Sequence, residues 1–298
     1  MLTLFLTGLI MTINSCSKDV QKETESLQTT QNDTTTVAQN NDGTDNNGSG
    51  SSSESSSSNG AKLQTTTFNL DGISFKMILV EHGTFTMGSD NSGQSNEKPA
   101  HKVTLTKDYL IGETEVTEAL WNKVMGKSGG RSNYPIASIT RPQCETFVQK
   151  LTEQARKAGI IGDSVRFSMP TEAQWEFAAR GGNYSKGYKY CGSDNLDEVA
   201  WTSGNHSSSA ANAVAQKKPN ELGLYDMSGN VYEWVYDYPG SYPSGDVTDP
   251  CNSTPSSTYI KRGGSIYYND SYRFTPHYRY FYGGTDWTIG FRLALVQE

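Results

Sequence analysis

The regular pattern of apolar and polar positions begins near residue 67. Residues 67–80 (TFNLDGISFKMILV) alternate around Asp71-Gly72, and Asp-Gly between two alternating runs predicts a tight β-hairpin. Residues 84–88 and 101–105 read as further strands. Residues 117–125 predict a short helix. Residues 141–158 predict a longer one, with Cys144, Phe147, Val148, Leu151 and Ala155 at helical spacing and Gly159 as its stop. Thr171-Glu172-Ala173-Gln174 is a capping box: the Thr hydroxyl takes the N-cap and the Gln side chain reaches back. The helix it opens carries Trp175, Phe177 and Ala178 and ends at Gly181-Gly182. Long Gly/Asn/Ser-rich loops with short apolar pieces follow, without an internal repeat. Helices against small twisted sheets, with much irregular chain, define an α+β class.

The first 66 residues follow other rules. Residues 1–15 (MLTLFLTGLIMTINS) are mostly apolar, the length of a signal-peptide core and too short for a membrane span. Ile13-Asn14-Ser15-Cys16 resembles a bacterial lipobox, which makes Cys16 the expected lipid-bearing residue. The alternative is a buried apolar helix with an incidental Cys. Acyl chains contribute about 0.8 kcal/mol per buried methylene, so the expectation is an exported protein anchored to a bacterial membrane, periplasmic or on the cell surface. Residues 16–66 are Ser/Thr/Asn-rich. They cannot bury enough apolar area to offset chain entropy and read as a disordered tether of roughly 40 Å root-mean-square span. Residues 67–298 remain as one domain, long enough to bury roughly 70% of its unfolded surface.

The net charge is −7 and no Lys/Arg cluster is present, which argues against sequence-independent nucleic-acid binding. Four Cys are present, at 16, 144, 191 and 251. An oxidising compartment permits a disulfide; Cys191–Cys251 is the candidate pair, whether or not it forms, with Cys144 buried and free.

Seven blocks run in order along the domain: FTMGS (85–89), EKPAHKV (97–103), ETEVT (113–117), MPTEAQWEFAARGG (169–182), PNELGLYDMSGNVYEW (219–234), RGGS (262–265) and GFRL (290–293). Together they resemble the sulfatase-modifying-factor family, the formylglycine-generating enzymes and their relatives, over roughly residues 74–296. The resemblance implies a single domain related to the C-type-lectin fold, with its functional surface on irregular loops in the C-terminal third. It also implies copper-dependent oxidation of a sulfatase Cys, the metal being held by two Cys just beyond the RGGS block, where soft thiolates select Cu(I). In this chain Tyr268 and Arg273 stand at those positions, and no Cys follows Cys251. A phenol and a guanidinium cannot form a thiolate copper site, so no copper is expected. The iron-dependent relatives need a His-rich partner; the four His here, at 82, 101, 206 and 277, have no paired spacing.

The resemblance further implies a structural Ca²⁺ in residues 226–233, with carboxylates from Asp226 and Glu233 and backbone carbonyls from Gly229 and Val231. Hard oxygen donors on a Gly-containing turn suit Ca²⁺. The alternative is that Asp226 caps a turn and Glu233 pairs with an Arg. The acidic loop of a second calcium site has no counterpart in residues 199–216.

The stretch 266–287 (IYYNDSYRFTPHYRYFYGGTDW) is crowded with Tyr, Phe and Trp, interleaved with polar groups. Tyr offers large contact area at low entropic cost, and Tyr, Trp and Arg dominate binding hot spots. Tyr268, Asn269, Asp270, Tyr272, Arg273, His277, Arg279 and Trp287 are the candidate ligand-contacting residues. The segment also resembles the variable region of lectin-fold proteins diversified by retroelements. The alternative is that these rings are ordinary core aromatics.

Three functions are compatible with the sequence. One is a non-catalytic lipoprotein binding a protein or glycan. The others are a formylglycine-generating oxidase and a structural part of an envelope or motility complex.

Overall fold

The computed structural model describes residues 63–206 and 210–298; the signal stretch, Cys16 and the tether up to residue 62 lie outside the described residues. In chain order the first elements are β1 Thr65–Leu70, β2 Ile73–Val80, β3 Gly83–Met87, β4 His101–Leu105, β5 Tyr109–Gly112, α1 Glu118–Met125, α2 Arg141–Lys157, β6 Val165–Ser168 and α3 Glu172–Ala179. After them come β7 Ala200–Trp201, β8 Ser228–Gly229, β9 Tyr232–Trp234, β10 Val247–Thr248, β11 Tyr259–Arg262, β12 Arg279–Tyr282, β13 Ile289–Phe291 and β14 Ala294–Gln297. This is the α+β arrangement that the patterning predicts. Among the described residues no helix is long and apolar enough to cross a membrane.

The strands form a five-stranded sheet ordered β1-β2-β5-β14-β6, a three-stranded sheet β10-β4-β3, a four-stranded sheet β12-β11-β9-β13 and the short pair β7-β8. The predicted hairpin is present, with Leu70 opposite Ile73. Asp71 and Gly72 both take positive φ, 46° and 91°, which matches the twist of the two-residue turn to that of its strands.

Helices α2 and α3 both start on capping boxes. Thr140 accepts from Gln143 and Thr171 from Gln174, and each Gln side chain returns to the cap backbone. The α2 stripe Cys144, Phe147, Val148, Leu151 and Ala155 is buried as its spacing predicts. Trp121 of α1 stacks on Phe147 with centroids 5.0 Å apart, and Phe291 of β13 meets Phe147 edge-on. These contacts join the helices to the four-stranded sheet.

Helix α3 is buried nearly all round, including its carboxylates Glu172 and Glu176. Buried carboxylates must be paired, and Arg180 at the end of α3 together with Arg262 and Arg279 supplies the partners. Arg262 bonds Glu172 at 2.9 Å and Glu176 at 2.8 Å, Arg279 bonds Glu172 at 2.8 and 2.6 Å, and Arg180 bonds Glu176 at 2.7 Å. Burial alone would raise the Glu176 carboxyl, but Arg180, Arg262 and the Gly88 N–H hold it at about 2. Parts of the MPTEAQWEFAARGG and RGGS blocks are therefore one ionic frame that fixes the strand leading into the loop at 263–278.

The candidate pair Cys191 and Cys251 is not bonded: Cys144, Cys191 and Cys251 are all free thiols. Cys191 is buried with its Sγ on the Met227 carbonyl at 3.4 Å, whereas Cys251 is exposed. Burial pushes the Cys191 thiol up to about 12, where it is neither nucleophile nor ready metal ligand.

Candidate functional site: an aromatic face over two cations

Strand β11 runs antiparallel to β12, placing Lys261 opposite Tyr280. After Arg262 the chain turns through Gly263 and Gly264 at φ 90° and 76°. A Cβ on Gly264 would come within 2.7 Å of the Phe274 ring, so only glycine lets the loop 265–275 fold back over the sheet. That loop carries most of the candidate residues.

Six large apolar side chains are exposed among the described residues, and four fall in one segment: Tyr267 at 60%, Tyr280 at 44%, Tyr272 at 42% and Trp287 at 39%. Tyr267 meets Trp287 edge-on at 6.1 Å and Tyr268 at 5.0 Å, and Tyr268 in turn meets the buried Tyr232 at 6.0 Å. Edge-to-face pairing suits ring quadrupoles and holds each ring at a defined angle.

Arg273 threads through this group. Its guanidinium lies 4.2 Å from the Tyr268 ring centre and 5.0 Å from that of Tyr272, donates to Asp270 at 3.0 Å and to the Tyr278 hydroxyl at 2.7 Å. Partial burial works against its charge, but Asp270 and the surrounding phenols keep it protonated. Tyr268 and Arg273, at the two positions the resemblance assigns to copper-binding Cys, thus form a cation–π pair.

The second cation was not foreseen from sequence. Lys261 is surrounded by the rings of Tyr232, Tyr282 and Tyr280 at 4.1, 4.6 and 5.4 Å. Its side chain is 5% exposed, and Asp286 Oδ2 lies 3.7 Å from its ammonium. Burial lowers its pKa to about 8. Tyr267, Tyr280, Tyr282 and Asp286 are likewise additions to the expected set. Their signal was the aromatic run itself; Lys261 carried none, being one residue of a buried strand.

Of the eight candidates, Tyr268, Asp270, Tyr272, Arg273 and Trp287 come together, with Asn269 exposed beside them near Gly204. Two do not join the face. Arg279 is 2% exposed, with its guanidinium on Glu172. His277 faces Glu97 at 3.7 Å, and burial lowers its pKa to about 4.

A separate acidic corner surrounds Asp226. Glu233 is engaged by Arg292, Nε to Oε2 and Nη2 to Oε1 both at 2.7 Å, and by the Trp175 indole at 2.7 Å. This is the Arg pairing that the sequence left open. Asp226 takes positive φ, 58°, and accepts the Ala215 N–H at 2.7 Å. Burial and neighbouring Glu233 raise its carboxyl to about 6. Glu115 is buried beside it, its carboxyl facing that of Asp226 and accepting no bond from an N–H or hydroxyl donor, and burial together with the charges of Asp226 and Glu233 pushes it well up. Glu115 lines a cleft of about 350 Å³ with Thr114, Thr117, Asn133 and Ala215. Among the described residues no three His, Cys, Asp or Glu side chains form a metal cage.

Comparison with known proteins agrees with this architecture. The sulfatase-modifying factor enzyme 1-like domain matches residues 73–296, and the chain belongs to that family. Its fold is the formylglycine-generating-enzyme-like, C-type-lectin-related one. The chain is 30% identical to the chaperone protein LppX of Paenibacillus barcinonensis over 237 residues, covering 64% of this chain and 79% of LppX. It is 27% identical to the serine/threonine-protein kinase pkn1 of Chlamydia pneumoniae over 241 residues, covering 74% of this chain and spanning 38% of the kinase. Among solved structures it superposes on Treponema denticola variable protein 1 with a TM-score of 0.67 at 28% identity, covering 77% of this chain and 98% of that one.

Proposed function

We propose that the domain is a non-catalytic member of its family that binds a protein or glycan through the face built on Tyr267, Tyr268, Tyr272, Arg273 and Trp287. The observation that carries this reading is the Tyr268–Arg273 pair at the positions of the expected thiols. Soft sulfur donors are replaced there by a ring and a cation that suit recognition. A relative named a chaperone and a structural neighbour named a variable protein support a binding role. With the signal stretch, Cys16 and the tether, the reading extends to display from an envelope membrane through a lipid anchor. Replacing Tyr268, Tyr272 and Trp287 with Ala tests it. Ligand capture from a glycan and protein library is expected to disappear while the melting temperature holds; capture unchanged by the triple substitution contradicts the reading.

Calcium belongs to the same proposal. The buried carboxyls of Glu115 and Asp226 face each other with no cationic side chain between them, an arrangement a hard cation would bridge. Asp226 and Glu115 supply the carboxylates, with the Gly229 and Val231 carbonyls as the remaining protein donors. Glu233 instead serves Arg292. Chelation is expected to lower the melting temperature of the parent chain and to leave that of Asp226→Asn unchanged.

A further inference from the structure

The aromatic face holds one polar pair, Lys261 and Asp286, that faces without close contact. Lys261 has three N–H donors inside a cage of three tyrosine rings, and its carboxylate neighbour Asp286 stands 3.7 Å away, beyond hydrogen-bond reach. Asp286 uses its other oxygen, Oδ1, to accept from the Thr288 backbone, leaving Oδ2 turned toward Lys261. An ammonium only donates and a carboxylate only accepts, so a hydroxyl that enters between the two can accept from Lys261 and donate to Asp286. Lys261 touches Tyr232, which touches Tyr268, then Tyr267, then Trp287, the residue after Asp286. The donor, the acceptor and the rings therefore bound a single patch.

We infer that this patch is a subsite for a neutral sugar ring, with Lys261 and Asp286 bracketing adjacent hydroxyls and the Tyr267–Trp287 corner packing against the ring's C–H face. The inference rests on the ligand-binding reading above and names its ligand class. Three features favour a sugar. A hydroxyl both donates and accepts, so a lysine beside a carboxylate satisfies a vicinal pair in both senses. Lys261 with Asp286 and Arg273 with Asp270 are balanced pairs, so the patch has no surplus charge to select an ionic ligand. Exposed at 39–60%, four aromatic side chains of about 150–250 Å² each present about 300–450 Å², well short of the roughly 800 Å² that one partner contributes to a standard protein interface. Tyr267 and Trp287 stand at 81° to each other, one as floor and one as wall.

The test is saturation-transfer NMR and Trp fluorescence on the full chain with maltoheptaose, cellohexaose and mannotriose, with a sialylated oligosaccharide as the anionic comparison. Binding of a neutral oligosaccharide is expected. Trp287→Ala, Lys261→Met and Asp286→Asn should each weaken it about tenfold or more, and raising salt from about 0.05 to 0.5 M should scarcely move it. Asp286→Asn guards the result against misfolding of Lys261→Met, because it removes an exposed charge and leaves the Thr288 contact an acceptor. Preference for the sialylated sugar with steep salt dependence overturns the inference, as does neutral-sugar binding that survives all three substitutions. If no sugar binds but a library protein is captured and lost in the Tyr268/Tyr272/Trp287 triple variant, the sugar subsite is wrong and the ligand face stands. If the triple variant loses nothing, both fall.

Discussion

Glu233→Gln separates two roles for one side chain. Glu233 accepts two bonds from Arg292 and one from Trp175, all at 2.7 Å and all buried. The amide keeps the shape, removes the charge and turns one acceptor into a donor facing a guanidinium. Breaking a buried ion pair from one side costs about 3–5 kcal/mol, because the remaining charge is uncompensated. A domain of this size loses about 2–4 °C per kcal/mol, so the melting temperature should fall by roughly 6–20 °C. Differential scanning calorimetry with calcium and with EDTA reads the outcome. The pairing with Arg292 predicts the same fall in both conditions, whereas a calcium-ligand role predicts a larger fall with calcium. A loss under about 2 °C, or one confined to the calcium condition, is incompatible with Glu233 serving as the buried partner of Arg292.

Other expectations follow from the buried charges. The Asp226 carboxyl rises from 3.8 to about 6 in the fold. In EDTA its proton is held longer folded than unfolded, so stability should fall as pH rises from about 4 to 6, by roughly 3 kcal/mol in all; Asp226→Asn flattens that window in a urea titration. Glu176 is depressed from 4.5 to about 2, so its contribution is complete above pH 4.5 and is lost as pH falls toward 2, a loss that Glu176→Gln should remove from an acid-unfolding curve. Maleimide should label Cys251 in the native chain and leave Cys144 and Cys191 until denaturant is added, because of the three thiols among the described residues only Cys251 is exposed; equal labelling of all three counts against the packing described.

Much of the fold was legible locally. Asp71-Gly72 fixed the hairpin, Thr171 and Gln174 the start of α3, and the apolar spacing the buried face of α2, because each signal lies within a few residues of its consequence. The α2 cap Thr140 was overlooked, although Thr140 and Gln143 carry the same capping chemistry as Thr171 and Gln174. The site was legible as a composition and not as a surface. Alternation in 266–287 cannot say which rings point outward, since a turn of 3₁₀ helix at Ser271–Phe274 resets the phase. Arg279 was misplaced because its partner Glu172 lies 107 positions earlier. Lys261 was missed for the same reason: its cage is assembled across β9 and β12, and strand pairing, not sequence proximity, brings Tyr232 and Tyr280 to it.

Copper titration in the presence of oxygen and a Cys-containing sulfatase peptide asks whether this domain is an oxidase. No thiolate-type Cu(I) binding and an unchanged peptide mass are expected, because a phenol and a guanidinium occupy the thiol positions. Stoichiometric copper binding that Cys191→Ser or Cys251→Ser abolishes, together with a mass loss at the peptide Cys, would contradict that expectation and make the domain an oxidase.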